Sequence, residues 1–184
     1  MLKYILLGFL RYRPMTGYAL KEAISTSTSH FWHAELSQIY VTLKALEANG
    51  LVGSEVQAQK QRPDRRVYTI TPHGESDLRQ WLAEPQIELE KRKEPFLLKL
   101  FFSAALEKND LLAHLYLQRR QHEQYYQFIH DKMAEQIWQS AQQYPHLAKD
   151  ASLWEATRRL GELQQAAYLQ WLDETIERVE KEWG

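Results

Sequence analysis

Apolar residues recur along the first part of the chain with helical spacing, and then briefly with the spacing of strands. Residues 4–10 form an apolar run closed by Arg11, Arg13 and Pro14. Proline disfavours helical geometry in the residue before it, so a first helix is predicted through Leu10. Thr16 stands where a hydroxyl would take up the free N–H groups of a second helix running to about Ser25. The polar spacer STSTSH then leads to Phe31-Trp32. Leu36, Ile39, Leu43 and Leu46, three and four apart, put one apolar stripe on a third helix. Gly50 closes it, since glycine takes the left-handed conformation cheaply just past a helix, and Leu51 falls where it can pack back on Leu46. Two β-prone runs follow, 51–58 and 66–70, and the polar turn QKQRPDR between them predicts a hairpin. Thr71-Pro72 then caps and starts a fourth helix.

Helix, helix, helix, hairpin, helix is the order of a winged helix-turn-helix with a two-stranded wing, assigned to residues 1–83. Residues 84–95, with the charged run EKRKE, predict a linker, and residues 96–184 an all-helical dimerisation and effector domain, so the fold is mainly α. In that domain Asp110 is placed to cap a long helix carrying Leu115, His122, Tyr126, Ile129, Met133 and Ile137. Tyr144-Pro145-His146 breaks it. A last helix then carries Leu153, Ala156, Leu160, Leu163, Ala167, Trp171 or Leu172, Ile176, Val179 and Trp183. A stripe of that length is close to the heptad condition. An eighty-residue winged helix cannot cover two such helices, so pairing with a second copy is expected, twofold symmetry being the commonest arrangement. The apolar runs 4–10 and 95–106 are shorter than the about 20 residues of a membrane span. Both are expected as buried helices of a cytoplasmic protein with no membrane partner.

Composition narrows the chemistry. The 184 residues contain no cysteine, and the formal net charge is −1. Thiol catalysis and disulfides are thereby excluded, and so is a surface coated with positive charge for indiscriminate nucleic-acid binding. The charge is uneven. Residues 1–84 hold ten basic and eight acidic side chains, a net of +2, and the remainder a net of −3. Seven histidines show no paired metal-ligand pattern: His30 and His33 only flank Phe31-Trp32, while His114, His122 and His130 are eight apart and drift around a helix. With no Gly-rich phosphate loop, no GxSxG and no carboxylate dyad, neither an enzyme nor a cofactor is expected.

The positive charge is concentrated at one place. Lys60, Arg62, Arg65 and Arg66 fall within seven residues at the tip of the predicted hairpin, opposed only by Asp64. Taking Ile39 as the centre of the buried stripe, Ser37, Val41, Lys44 and Ala48 face outward on the third helix, with Gln38 beside them and Tyr40 at the edge. A helix of this kind enters the major groove N-terminal end first. Gln38 suits adenine and Val41 a thymine methyl, with Lys44 beside them in the groove. Ser37 and Tyr40 are assigned to phosphate, and the four wing cations to the flanking backbone of double-stranded DNA.

The stretches PMTGYALKEAI, FWHAELSQIYVTLKALEANGLV and RRVYTITPHGESDLRQWL resemble the PadR family of bacterial transcriptional regulators. Gly17-Tyr18, Gln38 through Val52, and Tyr68, Thr71 and Gly74 carry the resemblance, which covers residues 1–82. Trp154, Arg159, Gly161, Trp171, Leu172 and Ile176 are similar to the longer-tailed branch that includes the phenolic-acid repressor and the virulence activators. The resemblance implies a homodimeric repressor on a palindromic operator. It also implies release by a small aromatic acid bound between the winged helix and the helical domain, for which Trp32 and Trp154 are the candidates. The rival reading is a winged-helix protein-interaction adaptor without DNA binding, which would have no need of four cations beside an open helix face.

Overall fold

The computed structural model describes residues 1–58, 65–87 and 93–182. Lys60, Arg62 and Asp64, most of the turn QKQRPDR, residues 88–92 of the predicted linker, and Trp183 lie outside the described residues. The chain divides into two compact units, Met1–Leu89 and Glu90–Gly184.

In the first unit α1 (Leu2–Tyr12) outruns its predicted end by two residues and stops at Arg13, the extended residue before Pro14. Met15–Thr16 forms a short strand β1, and α2 (Gly17–Ser27) follows, with Thr16 Oγ1 accepting from the Ala19 N–H at 3.1 Å. Helix α3 (Leu36–Ala48) buries Ile39, Leu43 and Leu46. Gly50, at φ 67, ends it in a Schellman stop: Leu51 N–H donates to Leu46 O at 2.9 Å and Gly50 N–H to Glu47 O at 3.0 Å. Strands β2 (Val52–Gln57) and β3 (Arg65–Ile70) pair antiparallel, and α4 (Pro72–Ala83) starts with Thr71 Oγ1 accepting from the Gly74 N–H. The wing is the expected two-stranded hairpin β2–β3, and β1 joins it to make a three-stranded sheet of order β1-β3-β2, in which Met15 pairs with Tyr68 and Thr16 with Val67. Two residues after a Pro-limited helix leave no alternating pattern to read, so β1 had no sequence signature.

The core of this unit gathers Leu6, Leu7, Leu10, Leu20, Ile24, Ile39, Leu43 and Leu46 under Tyr68 and Leu78. Tyr4 stacks on Trp81 with ring centroids 4.3 Å apart, tying α1 to α4. Gly74 is required by close approach, because a Cβ there would stand 2.1 Å from the Leu51 carbonyl oxygen.

The second unit contains α5 (Pro95–Phe101), α6 (Lys108–Gln127), α7 (Ala134–Gln143) and α8 (Ala148–Glu182). A π-helical turn, Phe128–Met133, joins α6 to α7 without a break. Asp110 does not cap α6. The helix begins two residues earlier, after Glu107, and Asp110 lies in its first turn. Nor is 95–106 a buried helix: no residue of α5 is buried, and Phe101 and Phe102 stand 82% and 69% exposed. The core here is Leu111 and Leu115 of α6 against Leu172, Ile176 and Val179 of α8.

The predicted stripe of α8 is half right. Its C-terminal part is buried as expected, but Leu153, Leu160 and Leu163 are 68%, 57% and 49% exposed. The residues covered in that half include Ala151, Trp154, Arg158, Gly161, Glu162 and Gln165, an offset row that contains a charged pair. Charge pairing within the chain, which periodicity cannot register, decides the inward face there.

Candidate nucleic-acid interface

Helix α3 presents Ser37, Gln38, Tyr40, Val41, Lys44, Ala45 and Ala48 to the outside, Val41 being 72% exposed. The buried row Ile39-Leu43-Leu46 is anchored on α1 and α2, so the opposite face stands clear of its own unit. Two of the outward residues do more than point outward. Gln38 closes a capping box with Glu35: its side-chain oxygen accepts the Glu35 N–H at 3.0 Å, and the Glu35 side chain accepts from the Gln38 N–H. An amide oxygen has two lone pairs, so Gln38 keeps one acceptor site and its NH2 for a base edge. Tyr40 lies over the start of α2, where a Cβ on Gly17 would come within 2.6 Å of its ring.

The two described wing cations differ in availability. Arg66 is held to Glu47 of α3 at 3.4 Å, and Ser54 donates to the same carboxylate at 2.5 Å. Arg65 bonds only a neutral amide among the described residues, its Nε donating to Gln57 Oε1 at 3.0 Å. Arg65 is therefore the freer of the two for an anion. Glu47 was not singled out in the sequence, because nothing in the linear order brings residue 47 beside residue 66. Behind the sheet, burial pushes the Tyr68 phenol above its ordinary value, the nearby Arg66 opposing.

Beside the first turn of α3 lies a depression of about 650 Å³, walled by Leu2, Trp32, His33, Ser37, Gln38 and Val41 among others. The Trp32 indole N–H is buried and meets no acceptor among the described residues. Trp154 is half-buried on α8 and belongs to the other unit. No group of three or more His, Asp or Glu is placed to hold a metal ion among the described residues, and no described helix is long and apolar enough to cross a membrane.

Comparison with known proteins adds to this geometry. Residues 6–80 match the model of the transcriptional regulator PadR-like family, and residues 92–180 match that of the virulence activator alpha C-terminal domain. The negative transcriptional regulator PadR of Bacillus subtilis is 33% identical over 109 residues, which are 59% of this chain and 60% of that relative's length. The crystal structure of B. subtilis PadR in complex with operator DNA superposes with a TM-score of 0.79 at 24% identity, covering 97% of this chain and 98% of that one. The same protein in complex with p-coumaric acid gives a TM-score of 0.71 at 22% identity, covering 98% and 99%.

Proposed function

The chain belongs to the PadR-like family of transcriptional regulators, and on that premise we propose that it is a homodimeric, sequence-specific DNA-binding repressor. The observation that carries this reading is the outward face of α3, polar and small-residued from Ser37 to Ala48, beside a cationic strand end at Arg65. Gln38, Val41 and Lys44 read the major groove, Ser37 and Tyr40 meet phosphate, and Arg65 and Arg66 hold the flanking backbone together with Lys60 and Arg62. Two copies place two such helices about one turn, ~34 Å, apart on an imperfect palindrome. The solved complex of B. subtilis PadR with operator DNA supports the class of partner.

Duplexes selected from a random pool should therefore contain an inverted repeat, with affinity falling steeply as salt rises, since each phosphate that is neutralised releases counterions. Selected sequences without a repeat, and a flat salt dependence, would show that α3 is not a recognition helix. A winged-helix adaptor would give that second result.

Release by a small aromatic acid is the companion proposal. The depression at Trp32 supports it, since an indole is among its walls and aromatic side chains suit a flat ring. The complex of B. subtilis PadR with p-coumaric acid supports the ligand class. Trp154 is the second candidate residue. Addition of p-coumaric acid should quench tryptophan emission, and Trp32→Phe should remove most of the change; emission unmoved by a panel of phenolic acids rejects the class.

A further inference from the structure

The sheet carries a second depression, of about 320 Å³, lined by residues that include Arg13, Thr16, Gln57, Arg65 and Val67. The strand register builds it. Gln57 stands opposite Arg65 and Thr16 opposite Val67. Residues two apart on a strand share a face, so Arg65 and Val67 lie on the side turned away from buried Tyr68. Arg13 enters from the end of α1, in the extended conformation that Pro14 favours. Two guanidinium-bearing side chains thus line one concavity. No carboxylate is among the described residues that line it, and Glu55, the partner of Val67 across β2, is not one of them.

This depression adjoins the outward face of α3. The Tyr40 ring rests on Gly17, and Gly17 directly follows Thr16, which lines the concavity. Through buried Gly17 the exposed Tyr40 therefore adjoins Thr16, and with it the concavity that Arg13 and Arg65 line. We propose that this depression seats a backbone phosphate of the bound DNA, with Arg13 as a positioning residue that extends the bound stretch of backbone beyond the recognition helix and the wing. A guanidinium matches a phosphate through paired N–H donors, and among the described residues that line the depression no carboxylate competes for these two. The proposal rests on the DNA-binding reading and deepens it, since no feature of the linear pattern distinguishes Arg13 from the residues that merely end α1.

The test uses the full chain and a labelled random-sequence duplex, with affinity read by fluorescence anisotropy from about 50 to about 200 mM salt. Arg13→Gln should reduce the magnitude of the slope of log K against log salt by about 0.9 for each phosphate left without its cation, about 1.8 for a two-protomer complex. The weakening should be alike on every duplex, Arg13→Lys should retain most of the slope, and melting temperatures should be unchanged because Arg13 is exposed. Arg79→Gln, on exposed α4 surface, removes the same charge elsewhere and serves as the comparison. If Arg13→Gln keeps the wild-type slope, or flattens it no more than Arg79→Gln, the seat is overturned while DNA binding stands. If the wild-type protein has no salt-dependent affinity for any duplex, the DNA-binding reading falls and the seat with it.

Discussion

Single side chains of α3 serve the fold and the proposed DNA interface together. Gln38 is the clearest case, because its oxygen holds the Glu35 N–H while its NH2 remains available. The two duties separate by substitution. Gln38→Glu retains an acceptor at the third helical position, which suits a capping box, but it removes the donor and brings a negative charge to the DNA. Thermal stability should stay near wild type while affinity for a selected operator falls by about 1–3 kcal/mol, the usual worth of a bidentate pairing with a base. Gln38→Ala should weaken operator binding and lower stability as well, by about 1 kcal/mol for the missing cap. Equal binding by Gln38→Glu and wild type would remove Gln38 from the base-reading set. The sequence marked Gln38 as outward but not as a cap partner, since the first helical turn could be located only to within a few residues.

At the scale of elements, α8 presents two different faces. Its inward row includes Arg158, which donates to Glu155 through Nε and Nη2 and pairs with buried Glu162 at 2.9 Å, while Arg159 reaches Glu162 at 3.0 Å. Arg158 also donates to the Ile129 carbonyl at 3.3 Å, inside the π-helical turn between α6 and α7. His130 of the same turn stands 3.7 Å from Glu162. The hydrogen bonds from Arg158 hold the Glu155 carboxyl below its ordinary value. At Glu162 burial pushes upward, and hydrogen bonds from Arg159 and Arg158 outweigh it, so this carboxyl is lowered too. A carboxyl lowered by folding contributes stability that is present above its ordinary value of 4.5 and is lost as pH falls through the folded value. Arg158→Leu leaves Glu162 buried with Arg159 and the more distant His130 beside it, and should cost about 3 kcal/mol at pH 7. The gap from wild type in urea midpoint should narrow as the pH drops below 4.5 and the glutamates take up protons. A gap constant with pH would mean that Arg158 acts by packing alone.

At the scale of the whole molecule, the outward face of α8 bears on assembly. Leu153, Ala156, Leu160, Leu163 and Ala167 are exposed at alternating spacings of three and four, the a and d positions of a heptad seam. Exposed apolar rows of this length mark an interaction surface, and the proposed homodimer gives it an occupant. Leu160→Glu should shift the protein toward monomer in analytical ultracentrifugation, with its far-UV spectrum kept because Leu160 is already 57% exposed. Affinity for a palindrome should fall toward that for a single half-site. An unchanged dimer would direct attention to the exposed Phe101 and Phe102 instead. The net charge of −1 is an average over a +2 N-terminal part and a −3 remainder, so the field proposed to steer DNA is local.

The linear pattern by itself determined the helix order, the Schellman stop at Gly50, the caps at Thr16 and Thr71, and the outward face of α3. Each of these depends on residues within one or two turns of one another, where propensity and spacing act directly. Only the tertiary structure decided that Met15–Thr16 completes the sheet, that Arg66 is held by Glu47 while Arg65 is not, and that α8 turns its charged row inward. Those outcomes rest on partners far apart in the chain. An arginine looks alike in sequence whether it meets a glutamate or an open concavity, and an apolar stripe looks alike whether the same chain or a second copy covers it.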